Sequence, residues 1–120
     1  MKLFVLSTIF AAALSAADVS GSWRGTITTE MARQTTGGTI PAYMELKQSG
    51  GAVTGSAGAN ENLLFKLEEG KIEGDRLVVA ASPKEGSVLR FLLTVKDNVL
   101  EGDVEENGRN IGTAKLTREK

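Results

Sequence analysis

The chain has 120 residues, with 14 Lys and Arg against 15 Asp and Glu, and neither His nor Cys. That inventory excludes the usual imidazole base, the Ser-His-Asp and Cys-His nucleophile arrangements, typical zinc ligand sets, disulfides, and the cysteine on which a bacterial lipoprotein anchor is built. The near-neutral balance gives no electrostatic basis for binding nucleic acid or an anionic membrane.

The first segment in chain order reads as a targeting signal. Lys2 precedes an apolar run from Leu3 to Leu14, shorter than the ~20 residues that a bilayer span needs. Ser15-Ala16-Ala17 then offers the small residues that a signal peptidase reads. Residues 1–17 are therefore expected to be a secretory signal peptide, cleaved before Asp18 or one residue earlier, rather than a short membrane anchor. Residues 18–120 remain as a single domain able to build one core. Loss of Lys2 leaves 13 basic against 15 acidic residues, near −2. No Asn-x-Ser/Thr sequon occurs. The expected setting is soluble and exported, in a bacterial periplasm or the medium, with no integral membrane segment after cleavage.

Beyond residue 17 no stretch sustains a 3.6-residue apolar period. Short alternation interrupted by Gly, Asn and Asp predicts an antiparallel meander of eight strands at 19–28, 40–48, 52–58, 63–73, 76–82, 87–96, 99–106 and 109–118. Ser49-Gly50-Gly51, Gly74-Asp75, Asp97-Asn98 and Asn107-Gly108 supply tight-hairpin chemistry. A small motif recurs as VSGS at 19–22, VTGS at 53–56, IEGD at 72–75 and LEGD at 100–103. Its spacing is irregular, so it reads as a local strand solution rather than a structural repeat.

Sorting each strand by parity gives one apolar and one polar face. Val19, Gly21, Trp23, Gly25 and Ile27 share a face, as do Ala42, Met44 and Leu46, with Tyr43, Glu45 and Lys47 opposite. Leu89, Phe91, Leu93 and Val95 oppose Arg90, Thr94 and Lys96, and Leu100, Gly102 and Val104 oppose Glu101, Asp103 and Glu105. Eight such strands without a helix to cover the apolar face are expected to close into an all-β, eight-stranded antiparallel up-and-down barrel, which also removes unpaired edges. Alternate connections share an end. Those at 29–39, 59–62, 83–86 and 107–108 would surround a mouth, and the short ones at 49–51, 74–75 and 97–98 would close a floor with both termini.

Trp23 then points inward at the floor, where the last strand returns with Arg118, or with Lys115 if its register differs by one. An indole plugging the floor, with a cation across it reaching nearby carbonyls, is physically sensible. Gly21-Ser22-Trp23 on a first strand and Arg118 on the last resemble the hallmark of the lipocalin and avidin-like (calycin) barrels. Together with GKIEGD at 70–75, they make residues 18–120 similar to small secreted bacterial calycin-like domains. The resemblance implies the fold and a structural, barrel-closing role for Gly21, Trp23 and Arg118. It implies no activity.

Candidate sites are few. No catalytic residue, metal site or cofactor is expected. Glu101, Asp103, Glu105 and Glu106 form an acidic stretch whose alternation puts most of it on the solvated face. Gly37-Gly38 lacks the helix and lysine of a phosphate loop, and one tryptophan is too few for an avidin-like biotin enclosure. A ligand site would lie at the mouth, with Ile27, Met44, Leu63, Phe65, Leu89 and Phe91 as contacts and Met31 as the tip of a 29–39 lid. Ala42, Ala57, Val79 and Val104 would extend that wall. Small inward residues, Gly25, Ala42, Ala57, Gly102 and Gly112, either leave room for a ligand or let a narrow barrel coil tightly around a filled core. Two functions follow: a non-enzymatic barrel binding a small apolar ligand, or a module that engages an exported protein, such as a hydrolase, through loops 29–39, 59–62 and 83–86.

Overall fold

A computed structural model describes residues 18–30 and 38–119. The expected signal peptide and Met31 lie outside the described residues. The strands are β1 (Gly21–Thr29), β2 (Ile40–Ser49), β3 (Ala52–Asn60), β4 (Leu63–Glu73), β5 (Arg76–Lys84), β6 (Ser87–Lys96), β7 (Val99–Glu106) and β8 (Arg109–Arg118). Each pairs antiparallel with the next, and β8 returns to β1, closing an up-and-down barrel. The eight-stranded antiparallel barrel expected from the alternation is therefore the fold observed.

Turn chemistry explains the hairpins. Asn107 and Gly108 both adopt positive φ, 53° and 86°, as a two-residue turn matching the strand twist requires. The strands run further toward the mouth than the sequence suggests. The connections expected at 59–62 and 83–86 shrink to Glu61-Asn62 and Glu85-Gly86. Asn60, Pro83 and Lys84 look like strand breakers, but the ladder carries them with register shifts between Gly58 and Asn60 and between Ala81 and Lys84. Bulges at barrel rims commonly admit such residues. Only the connection from Glu30 to Thr39 is long.

Inward residues of all eight strands form the core, with Trp23, Met44, Leu77, Leu100 and Leu116 fully buried. Among the described residues, two buried side chains face outward instead. Tyr43 points to the exterior as its parity requires, yet is 3% exposed, because the Arg24 guanidinium lies 4.7 Å from its ring centroid. Ala80 is likewise buried. It stands between Glu69 and Arg90 in the ladder, and their 3.0 Å ion pair spans the strand it occupies.

Candidate functional site

The floor is assembled from the segment that leads into β1 and from the end of β8. Asp18, Val19 and Ser20 lead into β1, where the Trp23 indole N–H donates to the Val19 carbonyl at 2.9 Å. In the β1–β8 register Arg118 stands opposite Trp23, and its guanidinium lies 4.3 Å from the indole centroid. The same guanidinium donates to the carbonyls of Ser20 at 2.6 Å and Asp18 at 2.7 Å, and to Asn98 Oδ1 at 3.0 Å. Gly21 makes this fork possible. It adopts a φ of +132°, and a Cβ there would crowd the Arg118 guanidinium. Lys115 stands opposite Thr26 on the outer face, so the cation over Trp23 is Arg118.

Gln48 ties the entry segment down. Its side-chain carbonyl accepts from the Val19 N–H, and its own N–H donates to Ser20 Oγ, both at 2.9 Å. Asp18 Oδ1 accepts from the Ser20 N–H at 2.9 Å. That bond and then the Ser20 hydroxyl hold the Asp18 carboxyl below its ordinary value against the opposing effect of desolvation, with Arg118 adding the smallest contribution.

The mouth is built differently. A cavity of about 210 Å³ opens there. Its wall takes Ile27 from β1, Ile40, Pro41, Ala42 and Met44 from β2, Ala57 to Ala59 from β3, and Leu63 and Phe65 from β4. Tyr43 of β2, Ala81 and Pro83 of β5, and Leu89 and Phe91 of β6 also line it, and among the described residues no lining side chain is charged. The structure thus brings Ile27, Met44, Leu63, Phe65, Leu89 and Phe91 around one space, together with Ala42 and Ala57. Met31 cannot be placed among them. Val79 and Val104, also expected on this wall, are instead fully enclosed in the packed interior. Their parity is inward, but neighbouring side chains surround them on every side.

Sequence reasoning missed Ile40 and Ala81. Both share inward parity, pairing with Ile27 and Leu89, so alternation carried to the strand ends would have found them. It missed Pro83 because the turn was drawn at 83–86, and Pro41 because its parity within the expected strand is outward. At strand ends their lost N–H costs little.

The small inward residues divide into two kinds. A Cβ on Gly25 would overlap the Lys115 carbonyl, one on Gly102 the Leu92 carbonyl, and one on Gly112 the Thr28 carbonyl. These glycines admit a neighbouring strand and leave no ligand space. Ala42 and Ala57, by contrast, line the cavity. The barrel is filled at the floor and hollow at the mouth.

No protein-family model matches this chain, and no curated protein matches it. Among solved structures the barrel is similar to a secretary abundant heat soluble protein from Ramazzottius varieornatus, at 13% identity and a TM-score of 0.53, covering 88% of this chain and 98% of that one. It is also similar to a single-residue mutant of the fluorescent protein UnaG, at 15% identity and a TM-score of 0.51, covering 85% and 96%. At such identities the likeness is one of fold, a closed eight-stranded antiparallel barrel. Among the described residues, no helix is long and apolar enough to cross a membrane, and no group of three or more acidic side chains is placed to hold a metal ion.

Proposed function

We propose that this protein is an exported, soluble, non-enzymatic bacterial barrel that holds a small apolar ligand in its mouth. The observation that carries this reading is the cavity of about 210 Å³, whose lining among the described residues is uncharged. Its size sets the ligand class. An apolar cavity of ~150 Å³ takes up benzene, whereas drug-sized ligands occupy roughly 300–1,000 Å³. The ligand is accordingly a single ring or a short alkyl chain, or presents only such a group to the barrel. Ile27, Met44, Leu63, Phe65, Leu89 and Phe91 are its contacts in this proposal. Ala42, Ala57 and Ala81 make room for it.

The non-enzymatic part of the reading rests on the residue inventory, which holds no His and no Cys. The export part rests on the signal-like residues 1–17. A loop-mediated role in binding an exported protein draws less support, because two of its three loops are two-residue turns.

Native mass spectrometry of the mature protein, purified from its own source, tests the proposal. A co-purifying small apolar molecule near one equivalent is the expected result. A clean apo mass that does not change after exposure to a lipid extract overturns it. Trp23 gives an internal check. It pairs with Met44 on the cavity wall, so occupancy is expected to perturb its emission.

A further inference from the structure

The cavity wall is one-sided. Strands β1 to β6 line it, while β7 and β8 contribute nothing. On their side of the mouth, the inward row of β7 runs Leu100, Gly102, Val104 and then Glu106. The β6–β7 register sets these opposite Val95, Leu93, Phe91 and Leu89 in turn. Where the apolar alternation calls for another aliphatic side chain stands Glu106, which does not itself line the cavity but lies at the rim beside it, bordering a separate shallow opening with Asn107, Arg109 and Ile111. Its ladder partner Leu89 belongs to the cavity wall, and directly opposed residues place their Cβ atoms only ~4.5–5.5 Å apart.

Glu106 is held in that position. Ser87, also inward on β6 and only 4% exposed, donates its hydroxyl to Glu106 Oε2 at 2.8 Å. This neutral donor orients the carboxylate without neutralising it. Among the described residues the ion pairs are those of Arg24 with Glu61 and Glu119 and of Arg90 with Glu69. Glu106 belongs to none of them. Arg109, opposite Glu106 in the β7–β8 register, is exposed and makes no pair with it. A half-buried carboxylate that keeps one oxygen without a partner among the described residues, beside an apolar cavity, favours a cationic donor.

The geometry points to Glu106, oriented by Ser87, as the polar anchor of the mouth, selecting ligands that join a small apolar body to a protonated amine. This rests on the mouth cavity being a ligand site. The apolar group would lie against Leu89 and Phe65, with the ammonium at the Glu106 carboxylate.

The test compares hexylamine, hexan-1-ol and hexanoate by NMR titration of the mature protein, following the Leu89 and Ala57 amides. The amine is expected to bind roughly fivefold or more tightly than the alcohol, because charge-assisted hydrogen bonds are about twice as strong as neutral ones. Hexanoate is expected to bind weakest. In Glu106→Gln, which can still accept from Ser87, the amine is expected to fall to the level of the alcohol. Arg109→Ala is expected to preserve the amine preference. If the alcohol binds but the amine is no tighter, or if Glu106→Gln leaves the preference intact, the anchor assignment is overturned while the cavity reading stands. If none of the three shifts these amides, the cavity reading itself fails.

Discussion

At the floor Trp23 is enclosed, its indole N–H is bonded, and Arg118 ties β8 across it to the segment entering β1. At the mouth Leu63 is 53% exposed, and Phe65 and Leu89 are only partly buried. The same eight strands build both ends, so the difference lies in the side chains and in what covers them. Stability is concentrated where apolar area is fully removed from water and every polar group has a partner. Recognition falls to the end where apolar area stays accessible, since only there can a ligand complete the burial.

Truncation of large side chains should expose this contrast most strongly. Trp23→Ala is expected to cost about 3–5 kcal/mol, read as a lower urea midpoint by circular dichroism, because the indole signal is lost with the residue. Phe65→Ala at the mouth is expected to cost no more than about 2 kcal/mol, since a partly exposed ring has less transfer free energy to lose. Equal costs would dissolve the distinction between the ends.

Small residues provide the next comparison. Gly25→Ala is expected to destabilise by about 2 kcal/mol, because the added methyl meets Lys115 backbone that cannot swing aside. Ala57→Leu adds more atoms but fills open space, and should change stability by less than about 1 kcal/mol while abolishing uptake of any co-purifying ligand. Thermal unfolding beside native mass spectra would check both. A collapse of Ala57→Leu would mean that its surroundings are packed.

The clasp itself is subtler. Arg118→Lys keeps the charge but loses the planar fork that reaches two carbonyls and stacks on the indole. A loss of about 1 kcal/mol is expected in the urea midpoint. An unchanged midpoint would reduce the clasp to a point charge.

The smallest effect concerns pH. The folded Asp18 carboxyl titrates below its ordinary 3.8, so its contribution is present above that value and fades as pH falls through the lowered one. Asp18→Asn should therefore unfold at the same midpoint as the parent in strong acid and at a slightly lower one near neutrality. A gap that widens toward acid would reverse the assignment. Because the group is exposed, this shift is expected to be the least of the series.

Much of this architecture was legible in the residues. Alternation of apolar and polar side chains set the eight strands to within about two residues, and Gly, Asn and Asp marked the turns. Parity brought Trp23 and Arg118 to one end and Ile27, Met44, Phe65 and Leu89 to the inner face. The mouth was drawn too wide, because Asn60 and Pro83 were read as breaks and the ladder absorbs them through bulges.

Alternation alone thus determined the closed sheet and the side of it that each residue faces, because a strand has a period of two whatever surrounds it. Tertiary structure decided what each inward position meets. Gly25 faces a neighbouring carbonyl and Ala57 faces space, although both are small and inward. Tyr43 faces outward and is buried because Arg24 covers it. Glu106 shares the parity of Val104 and yet ends at the rim, against Ser87. Parity names the face, and only strand register and closure bring the opposing atoms into place.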